Sequence, residues 1–347
     1  APDRCGGSPM RSLDIVFPQA RSVSVVSTEV PGPAAGEVRC RALTSLVSTG
    51  TESFCLAGTF DPDTFWEEWV EYPFAPGYSM TSRVTDVGPG VEGIAVGDRV
   101  STSTPHSSVF VVPAAECIPV PDAVTDEQAC WASLACTTQL GVRRAGVELG
   151  ETVVVVGLGV LGQLVVQYLR LSGARRIIAI DTVESRLAAA VAGGATHTIA
   201  GDVGAARQVV HDLTAGAMAD VAFDITGHPA VLAPTTRLVR QLGRVVLLGD
   251  TPTPSRQLLG PRMVADSVSL LGVHASAAPA IATLRDPWTL PAMAGLFFEF
   301  VADGRMDVDS LASHRFTPDQ APEVYEALRR DRSAYLGVFL DWKGVEA

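Results

Sequence analysis

The sequence predicts an α/β protein of two unlike parts, a β-barrel-like part followed by a doubly wound parallel sheet, and three observations predict it. Near Gly150 the chain changes from short β-rich runs punctuated by Gly and Pro to strands alternating with helices. A run of four valines feeds directly into Gly157-Leu158-Gly159-Val160-Leu161-Gly162. With 347 residues, 47% hydrophobic and 18% charged, the chain exceeds one ordinary domain and can bury a large core.

The first part extends to about Val124. Its β-rich runs lie at Val38–Ala42, Ser82–Val87, Arg99–Ser101 and Val109–Pro113, and the glycines and proline of Gly88–Gly93 make a tight turn before Val96–Val100. Thr125-Asp126-Glu127-Gln128 has the spacing of a capping box, which predicts one helix from there to about Ala145. After Gly150, strands are predicted at Thr152–Val156, Arg176–Ile180, Thr196–Ile199, Val221–Asp224, Arg244–Leu248 and Val268–Gly272. Helices are predicted up to Leu171 and over Ser185–Ala192. This alternation predicts a parallel sheet, because parallel strands need crossover helices on both faces. From about Pro291 the style changes again, with helices near Ala292–Ala302 and Ala321–Arg329 and a last strand near Leu336–Leu340, expected to rejoin the first part. The expected division is therefore 1–124, 125–290 and 291–347.

Composition excludes some classes of function. Asp and Glu outnumber Lys and Arg by 38 to 26, a net charge of −12, which opposes attraction to phosphate backbones and anionic membranes. Thr152–Leu169 carries no charge and has the length of a membrane span, yet Gln163, Gln167 and the glycines divide it, so it reads as buried α/β core. Cys5, Cys40, Cys55, Cys117, Cys130 and Cys136 lack the close pairs of a disulfide scaffold or a Cys-x-x-Cys site. Reduced thiols in the cytoplasm are the expectation.

The glycine loop is the strongest motif. It follows a strand and opens a helix, and Asp181 ends the next strand 19 residues after Gly162. Gly157 permits the tight turn, Gly159 lets backbone approach a pyrophosphate, and Gly162 lets helix and strand pack closely. The N–H groups that open the helix at Val160 and Leu161 then favour an anion. Asp181 can accept bonds from both ribose hydroxyls and repels a 2′-phosphate, so NAD is expected over NADP, although Arg186 places a cation nearby. Thr137, Thr226 and Gly249 complete the candidate cofactor contacts.

Pro76-Gly77-Tyr78, Gly97-Asp98-Arg99-Val100, Leu134-Ala135-Cys136-Thr137, the glycine loop and Arg315-Phe316-Thr317-Pro318 together resemble the medium-chain dehydrogenase/reductases, from about Met10 onward. The resemblance implies a GroES-like β-barrel catalytic domain completed by the C-terminal tail, a Rossmann domain, a nicotinamide in the cleft between them, and a homodimer. Zinc alcohol dehydrogenases of that family carry a Cys in the segment matching Leu46–Glu52 and a His-Glu pair after the glycine matching Gly77. Here Ser48, Tyr78 and Ser79 stand in those places, and the Cys-rich lobe of a structural zinc is missing from Ser101–Val109. No metal is therefore expected. Ser48-Thr49-Gly50-Thr51-Glu52 further resembles a zinc-lacking subgroup with a Ser-x-Gly-Thr-Glu signature.

A site without metal still has to manage a proton and an alkoxide. The candidates are Tyr78, whose hydroxyl would need its pKa lowered by a neighbour, Glu52, Ser48 and Thr51 as hydroxyl relays, and His106, expected in a loop bordering the cleft. Each has an ordinary structural alternative. Phe60, Phe65, Trp66, Trp69 and Phe74 form either a pocket wall for a flat substrate or plain packing, while His197, His211, His228, His274 and His314 share no spacing. Three functions follow: an NAD-dependent dehydrogenase or ketone reductase acting on a small secondary alcohol such as a polyol, a reductase of an activated C=C or C=N bond, and a catalytically silent NAD-binding protein.

Overall fold

The computed structural model describes residues 9–345. Two sheets organise it. Six strands form one parallel sheet in the order His197–Ala200, Arg176–Asp181, Thr152–Val156, Ala219–Asp224, Val239–Leu247 and Ser269–Gly272. The chain starts in the middle, works to one edge, returns, and works to the other. That order reverses beside Thr152–Val156, where a doubly wound sheet opens its ligand crevice at the carboxyl ends of the strands. All five residues of Thr152–Val156 are buried, which explains its unbroken apolar run.

The other large sheet is mixed, in the order Ala312–Phe316, Gly337–Asp341, Glu37–Val47, Met80–Val87, Arg99–Thr102 and Ile118–Pro119, with Val109–Pro113 also paired to Glu37–Val47. Its first two strands come from the end of the chain: Ala312–Phe316 pairs with Gly337–Asp341, which in turn bonds to the long strand Glu37–Val47. By contrast, the helix Leu290–Ala302 buries Met293 and Phe297 in the core cluster that also holds the helix Ala132–Ala145. Among the described residues the C-terminal segment thus serves both sheets.

The uncharged Thr152–Leu169 stretch resolves into a strand and the helix Val160–Leu171. No described helix is long and apolar enough to cross a membrane. The capping box at Thr125 forms as expected. The single helix expected behind it does not: it breaks at Trp131 into Asp126–Cys130 and Ala132–Ala145. The Trp131 N–H reaches Gln128, one residue short of an α-helical step, and its 1% exposed indole packs edge-on against Phe339. Tertiary packing overrides local helix preference there. Cys40, Cys55, Cys117, Cys130 and Cys136 are free and buried, and Cys5 lies outside the described residues.

Candidate active site

The carboxyl ends of the parallel strands face a cavity of about 950 Å³, walled on its opposite side by residues near the ends of Glu37–Val47 and Arg99–Thr102 and by the short helices that follow Val47. The glycine loop forms its floor. Gly157 has φ +91°, and a Cβ there would meet Thr226 Cγ2 at 2.8 Å. A Cβ at Gly162 would lie 2.0 Å from the Gly157 carbonyl oxygen, so helix and loop pack at a distance only glycine allows. Gly159 is different: nothing lies within 4 Å of its Cβ position, and it immediately precedes the helix Val160–Leu171. An open glycine before free helical N–H groups is a cradle for a pyrophosphate, so these residues fit a nicotinamide dinucleotide.

Asp181 closes the loop from below. Its Oδ2 accepts the Leu158 N–H at 2.7 Å and its Oδ1 accepts the Val183 N–H at 2.9 Å. The carboxylate therefore clamps the glycine loop as well as lining the cavity. Arg186 also lines it, with Nη2 donating to the carbonyls of Arg332 at 2.6 Å and Tyr335 at 3.3 Å, which ties the parallel sheet to the C-terminal segment.

On the opposite wall a hydroxyl cluster forms where the sequence turns from strand into the helix Thr51–Ala57. Tyr78 Oη donates to Ser48 Oγ at 2.6 Å and lies 3.3 Å from Thr51 Oγ1. All three residues line the cavity. Burial pushes the Tyr78 hydroxyl up from 10.0 to about 12, only partly offset by its bonds to Ser48 and Thr51. The lowering that a basic role for Tyr78 would need is thus not supplied, and the phenol stays protonated at neutral pH.

Glu52 and His106 do not line the cavity. Glu52 is 1% exposed; it accepts the Ser48 N–H at 2.7 Å and the Tyr325 hydroxyl, and His106 Nε2 lies 3.2 Å from it. His106 is fully buried, with Nδ1 2.8 Å from Ser45 Oγ, which itself accepts the Trp342 N–H at 2.9 Å. The expected cleft-border place for His106 is therefore corrected: its loop folds inward because Ser45 and Glu52 offer buried polar partners, and a buried imidazole needs them. Its ring also lies 2.8 Å from the Cβ position of Gly77, and its N–H bonds the Pro76 carbonyl. Glu52 thus holds the Ser48 turn while His106 supports the Tyr78 loop, and neither reaches the cavity.

Gly157, Gly159, Val160, Leu161, Asp181, Arg186, Thr137, Thr226 and Gly249 all line the cavity, whereas Gly162 only enables packing. Of the five aromatics singled out from the sequence, the cavity takes Phe65, Trp66 and Trp69 but neither Phe60 nor Phe74. Sequence reasoning missed Tyr325 and Arg332, which lie hundreds of positions from their partners and share no motif with them. It also gave no role to His228 and His274, which line the cavity. Among the described residues no group of three or more His, Cys, Asp or Glu could hold a metal ion.

Comparison with known proteins agrees with this geometry. The family described as zinc-binding dehydrogenase matches residues 160–286. L-threonine 3-dehydrogenase of Pyrococcus furiosus is 25% identical over 89% of this chain and 92% of its own length. Erythritol/L-threitol dehydrogenase of Mycolicibacterium smegmatis is 24% identical over 88% and 87%. Together these matches show that the chain is similar to the medium-chain dehydrogenase/reductase, alcohol dehydrogenase-like proteins. Solved structures of the superfamily share the fold, including the GroES-like part. An Escherichia coli alcohol dehydrogenase complexed with NADH superposes with a TM-score of 0.79 at 20% identity, covering 95% of this chain and 99% of the other. A zinc-binding dehydrogenase of Sinorhizobium meliloti bound to NADP gives 0.77 at 21%, with the same coverage. The matched family segment covers the parallel sheet from Val160 onward, after Gly157 and Gly159, and leaves out Ser48 and Tyr78.

Proposed function

We propose that this protein is a zinc-independent, NAD(H)-dependent oxidoreductase that interconverts an alcohol and a ketone by hydride transfer. The observation that carries the reading is the bonded Tyr78–Ser48 hydroxyl pair on the cavity wall opposite the glycine loop. The relatives named for alcohol substrates support it, as does the donor set: hydroxyls and a phenol are poor zinc ligands. NAD is favoured over NADP because Asp181 lines the cavity with a carboxylate.

When bound, the nicotinamide supplies or accepts the hydride. The remaining demands fall on this chain. Because Tyr78 donates to Ser48, the Ser48 proton is free for the substrate oxygen, and that hydroxyl stabilises the negative charge which grows there as the carbonyl is reduced. Tyr78 then resupplies Ser48 and is itself reprotonated by water entering the cavity that it lines. With its hydroxyl held near 12, Tyr78 is an acid at neutral pH, which favours ketone reduction there and alcohol oxidation at alkaline pH.

The test follows reduced-nicotinamide absorbance with panels of alcohols and ketones. Tyr78→Phe and Ser48→Ala should each lower turnover by roughly 10²–10⁴-fold while NADH affinity stays within a few-fold. Full activity in both variants, or loss of activity together with a stoichiometric zinc on chelation, would overturn the reading.

A further inference from the structure

We propose that Phe65 and Trp69 form an aromatic platform for the substrate, so that the substrate is an alcohol or ketone bearing a flat aromatic or conjugated group. The inference rests on the redox reading above and specifies its substrate class.

The platform begins in the sequence. Phe65 and Trp69 are four residues apart on the helix Phe65–Trp69 and share one face, while Trp66 between them is 5% exposed and packs against Phe54 and Phe60. The helix is fixed at its start, where Thr64 Oγ1 accepts the Glu67 N–H and Glu67 accepts the Asp63 N–H at 2.8 Å. Phe65 and Trp69 stack with centroids 5.7 Å apart and planes 18° from parallel. Trp69 rests edge-on against buried Phe74 at 5.2 Å, and Phe65 lies 5.6 Å from His274, which comes from the parallel-sheet side. The pair thus spans the cavity from one wall to the other on a rigid base.

Its exposure is the telling feature. Phe65 is 53% and Trp69 37% exposed, although Trp66 and Phe74 of the same segment are buried. Both exposed rings line the cavity, beside Phe54 and Leu290. Stacked rings held open toward a cavity offer a third ring a ready partner. They offer a polyol nothing, since its several hydroxyls would lose water without gaining hydrogen bonds. The bonded Ser48, Thr51 and Tyr78 cluster on the same wall is placed for a reacting oxygen, which suits a substrate whose oxygen meets the hydroxyls while a flat apolar body lies on the stacked rings.

The test uses the intact protein with NADH and two probes, 2-acetylnaphthalene and 2-butanone, read by calorimetry and by quenching of tryptophan fluorescence. The aryl ketone should bind at least about tenfold more tightly than the alkyl ketone. Phe65→Ala and Trp69→Ala should each cut that advantage by about 3- to 10-fold, and Trp69→Phe should keep most of it, with NADH affinity unchanged throughout. Equal binding of the two ketones, or alanine variants that bind the aryl ketone as the parent does, would overturn the platform. If a polyol is oxidised with higher kcat/KM than 1-(2-naphthyl)ethanol and the alanine variants leave both unchanged, the platform falls and the redox reading stands. If the aryl ketone binds as expected while no alcohol or ketone is turned over, the platform stands and the redox reading falls.

Discussion

Replacing Asp181 perturbs two properties at once, and the structure separates them. Its carboxylate accepts the Leu158 N–H at 2.7 Å and the Val183 N–H at 2.9 Å. Asp181→Ala removes both acceptors. Leu158 is fully buried, so its N–H loses its partner outright, whereas Val183 is half-buried and water can replace part of its bond. A donor left unsatisfied costs about 1–3 kcal/mol, so the pair should cost about 2–4 kcal/mol. For a chain of 347 residues, with an unfolding entropy of about 2.1 cal/mol/K per residue, that lowers Tm by about 3–5 °C. The second property is cofactor preference. Removing a charge at contact range from a 2′-phosphate relieves about 1–4 kcal/mol of repulsion, which shifts the NADP-to-NAD affinity ratio by about 5-fold to several hundred-fold. Asp181→Asn isolates that effect, because it keeps one acceptor oxygen and loses the charge. Its Tm should fall less than that of the alanine variant while its cofactor ratio shifts as much. Differential scanning calorimetry and titration calorimetry with both cofactors read the two effects. An alanine variant with the parent Tm would refute the clamp, and an asparagine variant with the parent NADP-to-NAD ratio would refute the role in cofactor choice.

The glycine loop separates cavity from packing: Gly159→Ala should fold normally and bind NADH at least about tenfold more weakly, whereas Gly162→Ala, whose Cβ would meet the Gly157 oxygen at 2.0 Å, should lose several degrees of Tm even without cofactor. Circular dichroism melts with and without NADH distinguish them. Tyr78 should show no phenolate absorbance at 295 nm below about pH 10, since burial raises it from 10.0 to about 12. A raised pKa favours the protonated fold, so this stabilisation is present below pH 10 and is lost as pH rises through 12, which difference titration of the parent against Tyr78→Phe would show. Glu52→Gln should lower stability by about 1–3 kcal/mol and turnover with it, because the amide cannot accept from Ser48, His106 and Tyr325 as the carboxylate does; urea melts and steady-state kinetics measure both. Cys55 and Cys130, fully buried and with thiols raised by desolvation, should react with a disulfide reagent only after unfolding.

What the sequence made legible followed from local physics. The parallel sheet is announced by valine runs buried on both faces, and the cofactor floor by glycines whose missing Cβ atoms the packing requires at Gly157 and Gly162. Such signals lie within some thirty residues of one another, inside a single strand–helix–strand unit. The opposite wall of the cavity is assembled differently. Ser48 and Tyr78 lie 30 positions apart, His106 stands 61 from Ser45, and Tyr325 reaches Glu52 across 273 residues. No periodicity links those positions, so sequence reasoning could name Tyr78, Ser48, Glu52 and His106 as a group but could not order them by distance from the substrate. Their burial supplies that order. A lone histidine near a cleft invites a catalytic reading, yet His106 is fully buried with its two ring nitrogens taken by a strand hydroxyl and a carboxylate. Its influence then passes through geometry, by holding the Gly77 turn against which Tyr78 is set. If that is its role, His106→Asn should leave the pH at which activity changes untouched while lowering kcat, because a support shifts the position of Tyr78 and not the protons it exchanges. A displaced pH profile in that variant would instead make His106 part of the proton path.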